Sequence, residues 1–204
     1  TKVMLSAAAA LAVTAVTAQA QVYSVNTVGY VNQAYPADTL VAVANPLDDG
    51  TNTLNSALLG VPAKSSAQFW TGAGFTTSGK GATWSPDQSI PPGAGFFIQS
   101  KTAYTNTWVG ELVANAGESV TNALPTDALV MVGSPIPYAG TLNTPELGLL
   151  GVPAKSSAQF WNGAGYTTSG KGATWSPDLP VNVADGFFIQ SKTAYDWVQT
   201  APAN

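Results

Sequence analysis

Gly60 to Asp87 reads GVPAKSSAQFWTGAGFTTSGKGATWSPD, and Gly151 to Asp178 reads GVPAKSSAQFWNGAGYTTSGKGATWSPD. The two stretches differ only at Thr71/Asn162 and Phe75/Tyr166, and they are offset by 91 residues. GFFIQSKTAY recurs at the same spacing, at Gly95–Tyr104 and Gly186–Tyr195. Upstream the match is looser: Pro36–Val43 pairs with Pro125–Val132 at an offset of 89. A fixed internal period of this kind marks a duplicated structural unit. The junction between copies falls near Leu112, which predicts modules over residues 21–112 and 113–204.

Within a module the pattern predicts mostly strands. Leu40–Val43 and Leu129–Val132 are short continuous apolar runs, as in strands covered on both faces. A short helix follows in each copy. In copy 2, Thr144 stands at its N-cap, Pro145 at its first position and Gly151 at its end; Thr53 to Gly60 is the counterpart. Ala67–Trp70 reads as a strand that Gly72-Ala73-Gly74 turns into Phe75–Thr77 as a hairpin. Gly79-Lys80-Gly81 reads as a further turn. Pro91-Pro92-Gly93 breaks the chain before the strand Gly95–Ser100. Phe96 and Phe97 are adjacent, and neighbours in a strand point to opposite faces. One ring therefore belongs to the module's own core, and the other calls for cover from the sister module. The expected class is all-β: two tandem sandwich- or barrel-like modules, one short helix each, related by a pseudo-two-fold.

Composition narrows the function classes. Charged residues make up only 9% of the chain, against roughly 25% in an average soluble protein. There is no Arg and no His, and the net charge is −4. The cationic patch that nucleic acids require is not available. Without Cys there are no disulfides, thiolate nucleophiles or cysteine metal sites. Lys2 precedes an apolar run from Val3 to Val16, followed by Ala18-Gln19-Ala20. This reads as a secretory leader over residues 1–20, cut before Gln21, or as an apolar assembly segment if it is retained. The run is shorter than the ~20 residues of a membrane span. The expected location is extracellular or on the cell surface.

Chemistry-bearing patterns are few. Gly74 to Lys80 and Gly165 to Lys171 match GxxxxGK, yet Gly81 and Gly172 replace the Ser or Thr that would hold Mg²⁺, and no helix follows. Lys64-Ser65-Ser66 supplies a Ser–Lys pair without helical spacing. Asp87, Asp178, Asp38 and Asp127 recur beside prolines or strand starts, where Asp caps turns. Asp48, Asp49 and Asn52 form a weak Ca²⁺ candidate. No cofactor is expected. Aromatics are the richer signal: the recurring Trp70, Trp84 and Tyr104 fit a β core, Trp84 and Trp175, each before Ser-Pro-Asp, are the candidates for exposure if any ring is exposed, and Phe75 becoming Tyr166 suggests a ring edge near water.

The run from Leu40–Pro46 through Phe69-Trp70 to Pro92–Ile98 resembles a module of an uncharacterised family of secreted bacterial proteins. That family pairs an aliphatic strand ending in Asn-Pro with an aromatic hairpin and a Pro-Gly-x-Gly-aromatic-aromatic strand. The start Val22–Asn32 resembles the first strand of such duplicated proteins. The resemblance implies a secreted β module and no activity. Copy 2 departs at Val183–Gly186, where Pro-Gly is lost.

These readings together suggest a non-enzymatic structural subunit of an extracellular filament or surface layer. Val22–Asn32, Thr107–Ala114 and Asp196–Gln199 look like versions of one strand, three in two modules, which would leave an edge for strand addition from another copy. Val22, Val25, Tyr30, Trp108 and Trp197 are the assembly candidates. The alternative is an adhesive module that binds polysaccharide through Trp84 and Trp175, with Tyr166 beside them.

Overall fold

The computed structural model describes residues 28–203. The leader reading, with Val22 and Val25, lies outside these residues. Copy 1 runs β1 (Val28–Tyr35), β2 (Leu40–Ala44), α1 (Leu54–Ala57), β3 (Ser66–Trp70), β4 (Phe75–Lys80), β5 (Trp84–Ser85), β6 (Gly95–Gln99) and β7 (Tyr104–Glu111). Copy 2 runs β8 (Ser119–Leu124), β9 (Leu129–Val132), β10 (Gly140–Thr141), β11 (Ser157–Trp161), β12 (Tyr166–Lys171), β13 (Trp175–Ser176), β14 (Pro180–Val181), β15 (Phe187–Gln190) and β16 (Tyr195–Thr200). The protein is all-β. Each copy builds a five-stranded antiparallel sheet of the same order, β2-β6-β3-β4-β5 and β9-β15-β11-β12-β13. Two-stranded ribbons, β1–β7 and β8–β16, accompany them.

The helices are shorter than sequence suggests and differ between copies. α1 is a single turn, capped by Thr53 in a reciprocal capping box with Ser56. Copy 2 has two 3₁₀ turns instead, Pro145–Leu147 and Leu149–Gly151. Gly148, at φ 69°, divides them, so the break comes before Gly151. Thr144 does not cap with its side chain; its Oγ1 accepts from Thr141 N at 2.8 Å. Pro145 favours the start, but a left-handed residue three positions later prevents α-helical propagation.

Each sheet packs one face onto its own core. Phe96, Ile98, Leu54, Trp84 and Trp108 lie together in copy 1. Phe187, Ile189, Leu149, Trp175 and Trp197 do so in copy 2. Phe97 and Phe188, one residue along, belong to a third cluster between the copies, with Met131, Trp70 and Trp161. The adjacent rings are thus buried on opposite faces, as strand alternation demands. Leu112 packs on the copy 1 core, whereas Ala114 and Val113 join a satellite cluster with Ile136 and Ala201.

Contacts between the copies are reciprocal. Ala44 N donates to Ala184 O (2.8 Å) and Gly133 N to Gly93 O (3.0 Å), residues at matching repeat positions. Val43 bridges Asp185, and Ala94 bridges Val132. Ala184 keeps a positive φ of 66° where Gly93 has 81°, so the loss of Pro-Gly in copy 2 changes the residue and not the left-handed turn. Backbone approach here is close. A Cβ on Gly95 would lie 2.6 Å from Val132 N, and one on Gly186 would be 2.8 Å from Val43 N. The matching residues Ala44 and Gly133 face one another, and a Cβ on Gly133 would overlap the Ala44 methyl and sit 2.6 Å from Asp185 O.

Gly133→Ala should therefore destabilise the protein by about 1–3 kcal/mol through overpacking. Ala44→Gly in the same chain should recover part of that loss, measured as urea midpoints. A neutral Gly133→Ala, or a double variant no more stable than the single one, would contradict this packing.

Candidate functional site

The sequence-nominated residues separate sharply. Trp84 and Trp175, the candidates for exposed rings, are both 2% exposed, which matches the core reading of the recurring aromatics. The tight turn after β4 folds the chain back so that Trp84 pairs with Lys80, both side chains on the inner face. Trp84 Nε1 donates to Leu58 O and Trp175 Nε1 to Leu149 O, each at 3.0 Å. Asn55 and Asn143 clamp the two tryptophan backbones from both sides. Trp84 and Trp175 are core residues, and the polysaccharide reading that used them is withdrawn. Trp108 and Trp197 are buried too. They donate to Gln33 Oε1 (3.1 Å) and Leu147 O (2.6 Å), so neither indole is an assembly contact.

Tyr30 is 75% exposed. Tyr166 also keeps an open edge, at 45%, with partial burial raising its pKa above the ordinary tyrosine value. The expected three-strand count is corrected. Ser119–Leu124, too rich in Ser, Thr and Asn to signal a strand from sequence, is the fourth flanking strand, β8, and it pairs along the whole of β16.

The Ca²⁺ candidate is a turn. Asp48 Oδ1 accepts from Gly50 N (2.8 Å) and Asn52 Nδ2 (2.7 Å). Asp49 Oδ1 accepts from Thr51 N (2.8 Å) and Asn52 N (2.5 Å). Partial burial pushes the Asp49 pKa upward, but hydrogen bonds from Asn52, Ser56 and Thr51 outweigh it and hold the carboxyl below its ordinary value. Among the described residues no group of three acidic or imidazole side chains is arranged for a metal.

The other decoys resolve in the same way. Lys80 Nζ and Lys171 Nζ are buried and donate to carbonyls of their own turns, Ala82 O at 2.8 Å and Ala173 O at 2.9 Å, leaving no phosphate cradle. Ser65 Oγ is hydrogen-bonded to Pro62 O. Asp87 and Asp178 accept from the backbone of Asn55 and Asn143. Asp38 and Asp127 form matching exposed ion pairs with Lys101 and Lys192, each at 2.8 Å.

Two surface features remain, and the sequence pointed to only some of their residues: Tyr30 in the first, the Phe pair and Tyr166 in the second. The first is the outer face of the β1–β7 ribbon. Tyr30 stands opposite Val109, and Val28 opposite Glu111; all three apolar side chains are exposed. In copy 2 the matching pair is Ser119 and Thr200, whose hydroxyls meet at 2.8 Å. The second is the seam between the sheets. Phe97 and Phe188 pack at 6.1 Å, flanked edge-on by Trp161 and Trp70 and rimmed by the half-open Phe75 and Tyr166. Trp70 Nε1 donates across the seam to Leu129 O (2.8 Å), and Trp161 Nε1 to Leu40 O (2.9 Å). A groove of about 390 Å³ opens beside Trp161.

No protein-family model, curated protein or solved structure matches the chain.

Tyr35 gives the structure a pH dependence. Burial raises its pKa far above the ordinary value, Tyr104 nearby adds to this, and Trp108 opposes weakly. The neutral phenol is favoured in the fold, so its contribution is intact below the unfolded tyrosine pKa of about 10 and is lost as pH rises beyond it. Thermal midpoints should fall more steeply above that pH in the native chain than in Tyr35→Phe. Parallel curves would show that Tyr35 has no such role.

Proposed function

We propose that this chain is a secreted, non-catalytic structural subunit that associates with copies of itself through the β1–β7 ribbon, building a filament or surface layer by strand addition. The observation that carries the reading is the exposed apolar face of that ribbon, Val28, Tyr30 and Val109, on a chain with few charges. β7 is already bridged by Asp48 at Glu111, whereas β1 has β7 as its strand partner among the described residues, so the β1 edge is the one offered for main-chain pairing. Low charge offers little repulsion between copies.

The two ribbons differ in chemistry at one end, where Tyr30 and Val109 of copy 1 are matched by Ser119 and Thr200 of copy 2, although Val198 is also exposed on the copy 2 ribbon. Contact between unlike ribbons is head-to-tail, and such contacts extend when the rotation does not close. Sequence supports the extracellular setting through its leader pattern. The reading does not require an unpaired terminal strand, because β16 already has its partner in β8.

Tyr30→Lys combined with Val109→Lys places like charges directly opposite one another on the outer face. Sedimentation velocity and negative-stain imaging of the native chain should show concentration-dependent oligomers or filaments, with the double variant monomeric and still folded. A native chain that stays monodisperse at millimolar concentration, or a variant that assembles equally well, would overturn the proposal.

A further inference from the structure

The groove beside Trp161 lies where β2 of copy 1 meets the β11–β12 hairpin of copy 2. Thr39, Ala42, Trp161, Asn162, Asp185 and Gly186 are among its lining residues. Duplication places a counterpart on the other side of the seam, and the two differ in a consistent direction. Ala42 is matched by Met131, whose side chain is buried against Phe97 and Phe188. Met131 Cγ lies 3.0 Å from the position a Gly95 Cβ would take, and Gly95 is the counterpart of Gly186. The space that is open beside Ala42 therefore holds thioether on the opposite side.

Polar equipment differs in the same sense. Asn162 and Asp185 are matched by Thr71 and Ala94. Asn162 Oδ1 accepts from Ala164 N (3.0 Å) and Gly165 N (2.9 Å), which orients the amide and leaves its Nδ2 donor without a partner among the described residues. Asp185 Oδ2 accepts from Asn182 N (3.0 Å) and Asn182 Nδ2 (2.8 Å), and Oδ1 accepts nothing within those residues. Thr71, by contrast, uses its hydroxyl on Gly74 O (3.0 Å). The long identical block differs between copies at only two positions, Asn162 and Tyr166 in copy 2, and both lie in the hairpin that carries Trp161.

A held indole, a free amide donor and a free carboxylate acceptor in one shallow groove suit a ring with apolar C–H faces and hydroxyl edges. Among the described residues no cation lines the groove, which disfavours phosphate or carboxylate ligands. The volume lies within the roughly 300–1,000 Å³ range of ligand sites. We infer that this groove is a binding site for a neutral pyranose unit, packed on Trp161 and hydrogen-bonded by Asn162 and Asp185, and that copy 1 supplies the wall while copy 2 supplies the recognition. The groove touches the β1–β7 ribbon at Ala34 but not at Val28, Tyr30 or Val109, so sugar binding by the Tyr30→Lys/Val109→Lys variant separates this proposal from self-association.

Isothermal titration of the native chain with neutral hexaoses (cello-, xylo-, manno-, laminari- and chitohexaose) tests it. At least one should bind. Ala42→Met, which imports the counterpart's side chain, and Asp185→Ala should each weaken that sugar by about tenfold or more, as expected when a wall is filled or a hydroxyl partner is removed. Thr71→Asn on the opposite side should leave the affinity unchanged. Asn162→Thr is an exposed change that preserves folding and keeps the test decisive if Ala42→Met fails to fold. No binding by any hexaose, binding that survives both Asp185→Ala and Asn162→Thr, or preferential binding of tetramethylammonium over every sugar would overturn the assignment.

Discussion

Close main-chain approach between the two sheets is the constraint from which the rest of this structure follows. It depends on Gly95, Gly186 and Gly133 having no side chain, because a methyl group at each would meet backbone or the Ala44 methyl of the other copy. That approach brings Phe97 and Phe188 into one cluster and lets Trp70 and Trp161 reach across to each other's sister sheet. Magnitudes favour the aromatic packing of this seam over the surface ion pairs as a source of cohesion. Burying an aromatic side chain contributes about 1.5–3 kcal/mol, and an edge-to-face ring pair adds about 0.5–1.5. The two ion pairs, Lys101–Asp38 and Lys192–Asp127, are half-exposed, and such surface pairs contribute about 0–1 kcal/mol.

Imperfect duplication then distributes chemistry unevenly over a nearly symmetric frame. Where the copies are identical, side chains are committed to structure: Lys80 and Lys171 hold their turns, and Ser78 and Ser169 bond the carbonyls of Pro86 and Pro177. Where they differ, surface properties change. Met131 against Ala42 decides which side of the seam is open. Tyr30 and Val109 against Ser119 and Thr200 decide which ribbon is apolar at that end. Both proposals rest on these mismatches, because most of the matched side chains are occupied by folding.

The ribbons show how register redistributes residues that sequence would equate. Trp108 and Trp197 align by eye, yet pairing from the Tyr35–Tyr104 and Leu124–Tyr195 ends places Trp197 opposite Asn122 and Trp108 opposite Val31. Trp197 therefore takes the position of Asn106, and Gln199 that of Trp108. Indole and amide have exchanged places on one inward face. In copy 2 the amide oxygen accepts from Ser134 Oγ (2.8 Å), and in copy 1 the Trp108 indole is held by Gln33 (3.1 Å). A two-residue difference between the copies is absorbed with the alternation intact, because strand side chains repeat with period two.

The duplication, the all-β class, the hairpin at Gly72–Gly74 and the two-sided burial of the Phe pair were legible in the residues alone, because repeat spacing and strand alternation are local properties of the chain. Exposure of individual rings was not legible. Trp84 sits beside Ser-Pro-Asp in what reads as a surface loop, and only the antiparallel return onto Lys80 turns it inward. Nor was β8, whose polar strand is stabilised by its partner rather than by an apolar pattern. The groove beside Trp161 joins residues more than a hundred positions apart, from Thr39 to Gly186. Its chemistry exists only once the two sheets meet, since side-chain types are written along the chain whereas their juxtaposition is set by packing across it.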